Sequence, residues 1–321
     1  MNKSIKLILN YFLGPLLFVI LSYLLYKQII QQPDLEIRWT QIKSCWKLPL
    51  FWLVVFMLLL NWGLEALKWQ LLLSPLEKIN FSKSLKSVFA GCSITMLTPN
   101  RTGEFGGRIL FLRPENRIKA ISATIVGSIS QLTITIIIGV IAIITLKDAT
   151  ANYKLTKELP WIFNQYVLMF SSIAGFLLLL IFFRLDFLVS FLSGISVFKK
   201  IIQHVSFVNF FNRKILLRIL FLSFARYMIF ILQYILLLSV LQVEIDFYLC
   251  FWLLSVFYLA MAILPTIGFT ELPVRATASV LIFGLLSSNT LGIQAAAFGI
   301  WIINLVIPAV IGSFFMFSKK I

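Results

Sequence analysis

Six stretches of the chain are each about 20 or more predominantly apolar residues long, the length that an α-helix needs to cross a bilayer. Charged residues make up only 12% of the chain, whereas soluble domains carry about 25%. These features exclude a soluble globular domain and indicate an all-α polytopic membrane protein. The predicted transmembrane spans are 7–29, 48–72, 119–146, 161–183, 215–242 and 292–317.

Two further apolar regions are interrupted in the middle. Residues 81–112 are broken around Thr98-Pro99-Asn100, and residues 247–286 around Pro265 to Gly268. Irregular backbone at membrane depth is tolerated only where it is buried in protein or lines a cavity. We therefore expect two re-entrant helical hairpins, with two kinked full spans as the alternative.

The distribution of lysine and arginine predicts the orientation. If the N-terminus is cytoplasmic and both hairpins are re-entrant, sixteen of these residues lie in cytoplasmic segments and seven in outer segments. Cytoplasmic loops of membrane proteins are enriched in these residues. We therefore expect a protein of the inner (plasma) membrane with both termini cytoplasmic. The net charge of +16 is explained by basic residues in these loops, which would lie near anionic lipids. It does not indicate a nucleic-acid partner.

The two interrupted regions share a pattern: "LTPNRTGEFGGR" and "LPTIGFTELPVR" both give proline, a glycine-containing turn, glutamate, and arginine four residues later. Each region follows two predicted spans and precedes one. The halves 1–160 and 161–321 therefore match in order but begin on opposite sides of the membrane. This predicts one membrane domain, residues 1–321, built as an inverted-topology repeat, which in transporters places the site at the repeat interface.

The charges in these regions have two interpretations. Glu104 can pair with Arg108, and Glu271 with Arg275, because residues four apart are neighbours on a helix; these pairs could be purely structural. Arg101 has no acid in its own hairpin and Arg226 has none near it in sequence, so an anion is the other interpretation. Arginine suits phosphate, and helix N-termini attract it. The predicted phosphate-binding residues are Arg101, Glu104, Arg108, Arg226, Glu271 and Arg275, and the predicted breaks and caps are Pro99, Thr102, Gly103, Pro265, Gly268 and Thr270.

The other polar residues of the spans have simpler interpretations. Glu65 and Lys68 are expected to pair at the membrane interface. Interhelical hydrogen bonds are expected for Gln131, Gln233, Asn304 and Trp301, interface anchoring for Trp46, Trp52, Trp69 and Trp161, and close helix packing for Gly139, Gly175 and Gly299. The three isolated cysteines and the single histidine offer no metal or catalytic spacing, so no metal, cofactor or catalytic residue is predicted.

The stretch "TPNRTGEFGGRILFL" resembles the first signature of the flippase-like family, also called the lysylphosphatidylglycerol synthase transmembrane region. The match consists of Pro99, Arg101, Gly103, Glu104 and Arg108. The stretch "LPTIGFTELPVR" resembles the second signature of that family. It departs from this signature in three ways: Phe269 and Glu271 replace glycines, and Ala276 replaces an acid.

The resemblance implies a function in lipid transport. One family member is similar in moving an aminoacylated phospholipid between leaflets, and others are linked to polyprenyl-phosphate sugars. This chain shows no cytosolic aminoacyl-transferase half, so we expect a stand-alone translocator of an anionic phospholipid or polyprenyl-phosphate-linked lipid, and not an enzyme. The alternatives are a lipid or glycosyl transferase, or its accessory subunit, using Glu104 or Glu271 as a base, and a non-catalytic scaffold. The expected partners are membrane lipids with anionic headgroups; a homo-oligomer or a partner enzyme is left open.

Overall fold

The computed structural model describes residues 14–32, 34–96, 98, 103–148, 157–184, 211–264 and 271–317. These residues form helices joined by turns, and no strand occurs among them. The helices are α1 (Gly14–Ile30), α2 (Leu35–Ser44), α3 (Pro49–Leu73), α4 (Phe81–Met96), α5 (Gly103–Ile109), α6 (Arg117–Asp148), α7 (Gln165–Phe183), α8 (Arg213–Val240), α9 (Phe247–Ile263), α10 (Glu271–Phe283), α11 (Thr290–Trp301) and α12 (Ile307–Phe317).

Five helical stretches are long and apolar enough to cross a membrane, and they fall on five of the six predicted spans. The first predicted span, 7–29, is described only from Gly14, where α1 begins; its earlier residues lie outside the described part of the chain. The protein is therefore an all-helical polytopic membrane protein. The five stretches are Pro49–Leu73, Pro114–Lys147, Gln165–Phe183, Arg213–Val240 and Thr290–Phe317.

The two arms of the first interrupted region pack against each other in antiparallel directions. A Cβ atom on Gly107 of α5 would lie 2.3 Å from the carbonyl oxygen of Ala90 in α4, and one on Gly103 would lie 2.4 Å from the Ile94 carbonyl. Such contacts are possible only for glycine, so these two residues set the distance between the arms. The arms of the second region, α9 and α10, contact each other less extensively.

In both interrupted regions, the chain that enters contacts the chain that leaves. Before α4, the Glu77 carboxylate accepts hydrogen bonds from Nζ of Lys83 at 2.7 Å and from the backbone N–H of Arg113 at 3.1 Å. After α10, Nδ2 of Asn289 donates to the carbonyl oxygen of Leu241 at 3.0 Å. Hydrogen bonds thus hold the two ends of each region close together.

The first arm of each interrupted region also packs against the last span of the other half. Helix α4 lies along α12, where a Cβ atom on Gly312 would be 2.0 Å from the carbonyl oxygen of Phe89. Helix α9 lies along α6, where a Cβ atom on Gly139 would be 2.7 Å from Cβ of Leu259. The expected close packing at Gly139 is confirmed. Helix α3 packs along α8.

The last span changes its helical form in the middle. A π-helical segment, Ile302–Val306, joins α11 to α12, and Pro308 follows it. Proline has no N–H to donate to the carbonyl four residues earlier, which here belongs to Asn304. Because α11 packs on α10 and α12 packs on α4, this span contacts both interrupted regions.

The tryptophans predicted as interface anchors divide into two groups. Trp46, Trp52 and Trp161 are half exposed, as anchors would be. Trp69 is completely buried, and its indole N–H donates to Oγ of Ser87 at 3.0 Å. The prediction for Trp69 was therefore wrong, because its ring faces α4 and not the lipid.

Candidate functional site

A single carboxylate, that of Glu65 in α3, pairs with three cationic side chains. Its Oε1 accepts a hydrogen bond from Nη2 of Arg108 at 2.7 Å, and its Oε2 accepts one from Nη1 of Arg226 at 2.7 Å and lies 2.8 Å from Nζ of Lys68. The Glu65 and Arg108 side chains are 3% and 2% exposed. An unpaired charge at mid-membrane costs about 2.5–3.5 kcal/mol on insertion scales, so this pairing is what allows the charges to be buried.

Arg226 in α8 is held by polar and aromatic groups of α3 and by an aromatic ring of its own helix. Its Nε donates to Oδ1 of Asn61 at 2.7 Å. Its guanidinium carbon lies 4.9 Å from the ring centre of Trp62 and 5.3 Å from that of Phe230. Both distances are within the range of cation–π attraction, so the orientation of this guanidinium is fixed from several sides.

Arg108 also pairs with Glu104, one turn earlier in α5. This pair confirms the predicted contact between residues four apart. The Glu104 side chain is 28% exposed, whereas that of Arg108 is 2% exposed. Arg108 therefore bridges a fully buried carboxylate and a partly accessible one.

Helices α3, α8 and the π-helical segment are joined by a chain of amide hydrogen bonds. Nδ2 of Asn61 donates to Oδ1 of Asn304, Nδ2 of Asn304 donates to Oε1 of Gln233, and Nε2 of Gln233 donates to the carbonyl oxygen of Val54, each at 2.8 Å. The interhelical hydrogen bonds predicted for Gln233 and Asn304 are confirmed. The chain connects the Arg226 site directly to the last span.

Lys68 is also connected to a third helix. Its Nζ lies 3.4 Å from Oγ of Ser223 in α8, which in turn lies 2.8 Å from Oγ of Ser130 in α6. Nε2 of Gln131 donates to the carbonyl oxygen of Ser223 at 3.4 Å, the interhelical contact expected for this residue. The Lys68 ammonium group is therefore satisfied by α3, α8 and, through Ser223, α6.

The second interrupted region carries its own ion pair. Oε1 of Glu271 accepts hydrogen bonds from Nε of Arg275 at 3.0 Å and from Nη2 of Arg275 at 2.9 Å. This is the second predicted pair of residues four apart, and it is confirmed. Pro273 lies in the first turn of α10, where a missing N–H breaks no helical hydrogen bond.

Both interrupted regions contribute to one small cavity of about 80 Å³ with a mixed polar and apolar lining, which we call the central cavity. Glu104 of α5 and the Glu271–Arg275 pair of α10 line it from two sides. Arg226 and the aromatic rings of Trp62, Phe230 and Trp301 complete its charged and aromatic lining. The cavity has room for several water molecules or a ligand group of similar size.

The polar atoms without a partner around this cavity are hydrogen-bond donors. The indole N–H groups of Trp62 and Trp301, which line the cavity, have no acceptor among the described residues, and neither does Nε of Arg108 behind Glu104. The hydrogen bond expected for Trp301 is therefore not made within the described chain. A buried donor without an acceptor costs about 1–3 kcal/mol.

An apolar cavity of about 600 Å³ lies on the other face of α10. Leu272, Pro273 and Ala276 of α10 form one wall, and Trp39 of α2 and Phe298 of α11 lie across from them. Since Glu271 and Arg275 face the central cavity, α10 separates a polar space from an apolar one.

The structure brings together four of the six predicted phosphate-binding residues, because Glu104, Arg226, Glu271 and Arg275 all line the central cavity. Arg108 lies behind Glu104. Gly103, predicted at the break, donates its N–H to Oγ1 of Thr98 at 2.7 Å. The remaining predicted residues, Arg101, Pro99, Thr102, Pro265, Gly268 and Thr270, lie outside the described residues.

Glu65 and Lys68 pair as predicted, at 2.8 Å, but both are buried inside the bundle, so the interfacial location was wrong, and Lys68 does not belong to a cytoplasmic loop. Arg226 has no acid near it in sequence, as noted, but Glu65 reaches it from α3. Asn61 and Glu65 were not predicted as site residues. Their spacing to Lys68 places all three on one face of a spanning helix, and this signal could have identified them.

No group of three or more histidine, cysteine, aspartate or glutamate side chains that could hold a metal ion occurs in the described part of the chain. The charged groups of the site are arginine and lysine side chains paired with carboxylates. Arginine side chains can bind an anion through paired N–H donors.

Comparison with known proteins identifies the family. The family model described as "Lysylphosphatidylglycerol synthase TM region" matches residues 11–312, which includes both interrupted regions and all the helices of the site. Neither a curated protein nor a solved structure matches the chain. Because the match extends over nearly the whole sequence, the chain belongs to the lysylphosphatidylglycerol synthase transmembrane-region family.

Proposed function

We propose that the protein moves an anionic lipid, either a phospholipid or a polyprenyl-phosphate-linked lipid, between the two leaflets, with its phosphate bound in the central cavity. The observation that carries this proposal is that the guanidinium groups of Arg226 and Arg275 line one small cavity between the two interrupted regions. Arginine binds phosphate through two parallel hydrogen bonds.

A lipid is favoured over a free phosphate ion by the second cavity. The apolar cavity beyond α10, about 600 Å³ in volume, offers a hydrocarbon chain a place next to the headgroup site. A free phosphate ion has no hydrocarbon chain that could occupy this cavity.

The helix contacts support the re-entrant and inverted arrangement of this transporter. Glu77 fastens the two ends of the first interrupted region, and Asn289 fastens those of the second. In each half, the first arm of the interrupted region packs on the last span of the other half: α4 on α12, and α9 on α6. Two interlocked repeats would pack in this way. In such repeats the site lies at their interface, near the midplane. Six spans, cytoplasmic termini and an inner (plasma) membrane location complete the proposal.

Reconstitution of the purified protein into liposomes tests this function. Phosphatidylglycerol with a fluorescent headgroup is added, and a membrane-impermeant quencher reports the fraction in each leaflet. We expect Arg226→Gln to slow translocation at least about tenfold, because the planar guanidinium fork is lost. The control is Arg218→Gln, which changes an exposed arginine on the same helix and should stay within about twofold of wild type.

Rates are normalised to folded protein, measured by size-exclusion chromatography. Equal quenching kinetics in liposomes with and without the wild-type protein would contradict the proposed function. Equal rates for the two arginine variants would contradict the role of Arg226.

A further inference from the structure

We propose that lipid translocation is coupled to protons, and that Glu104 carries one proton together with each lipid anion. This inference rests on the proposed function and adds to it a second transported species. It follows from the position of a partly accessible carboxylate at the place where the phosphate would bind.

An entering phosphate meets carboxylates as well as arginines. Glu104 and Glu271 both line the central cavity, whose volume is only about 80 Å³. A phosphate there would lie within a few ångströms of both acids. Two negative groups sharing a site favour protonation of one of them, so anion binding and proton uptake are linked.

Glu104 is the acid that can accept the proton at least cost. Its partner Arg108 also donates to Glu65 at 2.7 Å, so Arg108 stays paired when Glu104 becomes neutral. By contrast, Glu271 accepts both donated hydrogen bonds from Arg275 on a single oxygen. The Glu104 side chain is also the more accessible of the two, at 28% exposed against 8%.

The charged surroundings of Glu104 come from several helices. Besides Arg108 on its own helix, Arg226 of α8 and the Glu271–Arg275 pair of α10 line the same cavity, as does Cys92 of α4. Glu65 and Lys68 of α3 lie behind Arg108. Helix α6 brings Arg117 and Lys119 in its first turn.

The proton step is balanced without any further reactant. A proton from water on one side of the membrane bonds to a carboxylate oxygen of Glu104, and the ion pair with Arg108 is replaced by a neutral acid. Protonation removes the negative charge that Glu104 presents to a phosphate in the central cavity. The proton then returns to water on the other side. When a phosphodiester with one negative charge binds together with one proton, the net charge of the site does not change. The membrane potential therefore does not oppose movement of the loaded protein.

The test imposes a pH gradient on liposomes that contain the full chain and headgroup-labelled phosphatidylglycerol. The membrane potential is held at zero with potassium and valinomycin, and a pH-sensitive dye is enclosed. For one proton per lipid, we expect the ratio of labelled lipid in the two leaflets to shift about tenfold for each unit of pH difference. The enclosed dye should report proton movement when labelled lipid is added.

Two variants test whether Glu104 is the residue that carries the proton. In Glu104→Gln, we expect the leaflet ratio of labelled lipid to ignore the pH gradient, at whatever rate the variant moves lipid. Glu36→Gln, which changes an exposed acid in α2, should keep the tenfold response. If Glu104→Gln does not fold, the wild-type measurement alone still decides whether protons are coupled.

The outcomes separate the two proposals. If the wild-type protein moves lipid but the leaflet ratio ignores the gradient, coupling is overturned and the proposed function stands. If Glu104→Gln retains the response, Glu104 is not the carrier. If no lipid moves under any condition, the proposed function fails and the coupling fails with it.

Discussion

Nη1 of Arg226 lies 2.7 Å from Oε2 of Glu65, although the two residues are 161 positions apart. This contact joins α3 of the first half to α8 of the second inside the membrane. Removing one partner of a buried ion pair leaves a charge that neither water nor protein satisfies. The pair therefore makes the two halves depend on each other for stability.

We first predict that Glu65→Gln strongly destabilises the protein, because it leaves three cations without their shared carboxylate. The cost should be about 3–5 kcal/mol, as for other broken buried pairs. The measurement is the thermal midpoint in detergent, followed by the fluorescence of the buried tryptophans. Glu36→Gln, at an exposed site, is the control and should leave the midpoint unchanged.

A double-mutant cycle extends this prediction. Adding Arg226→Gln to Glu65→Gln removes one of the stranded cations, so the double variant should be less destabilised than the sum of the two single variants. Additive effects would mean that Glu65 and Arg226 do not interact in the folded protein.

The second prediction concerns two adjacent glycines of α5. A Cβ atom on Gly107 would lie 2.3 Å from the Ala90 carbonyl, whereas nothing lies within 4 Å of one on Gly106. Gly107→Ala should therefore push α5 away from α4 and cost about 1–3 kcal/mol. Gly106→Ala should be neutral or slightly stabilising, since alanine favours helices. Equal thermal midpoints for both variants would contradict the close packing of the two arms.

The third prediction is a pH dependence that arises outside the membrane. Burial raises the pKa of the Glu77 carboxyl, but hydrogen bonds from Lys83, from the Arg113 N–H and from Asn116 lower it, and the net effect places this pKa below its ordinary value. A lowered folded-state pKa stabilises the protein above the unfolded-state value, about 4.3 for glutamate, and this stabilisation is lost as the pH falls through the folded-state pKa.

Glu77→Gln measures this contribution directly. At pH 7 its thermal midpoint should be a few degrees below that of wild type, because hydrogen bonds to a charged group are lost. The difference should shrink as the pH is lowered below about 4.3. A difference that stays constant down to pH 3 would show that the charge of Glu77 does not stabilise the loop.

The sequence could predict the parts of this site that depend on local spacing. Glu104–Arg108 and Glu271–Arg275 follow from the geometry of one helix turn, and five of the predicted spans follow from apolar length. The Glu65–Arg226 contact could not be predicted in this way, because it depends on how α3 packs along α8. Trp69 was misinterpreted for the same reason. Its place near a span end suggested the interface, but its ring lies 5.2 Å from the Arg108 guanidinium, which comes from α5.

The fourth prediction tests the opposed orientation of the two interrupted regions. A cysteine at position 83 lies near the start of the first region, and a cysteine at position 287 directly follows the second. If both regions are re-entrant from opposite faces, Lys83→Cys is labelled from the cytoplasm and Ser287→Cys from outside. Cys45, which is half-buried, is replaced by serine in both variants, whereas Cys92 and Cys250 are buried and stay.

Labelling is measured in intact cells with a membrane-impermeant maleimide, before and after permeabilisation. Ser287→Cys should react before permeabilisation and Lys83→Cys only after it. Replacing Lys83 removes its partly exposed ion pair with Glu77, a loss of about 1 kcal/mol or less, so the fold should survive. Reaction of both cysteines from the same side would exclude the inverted repeat. It would also mean that Glu104 and Glu271 do not approach the central cavity from opposite faces of the membrane.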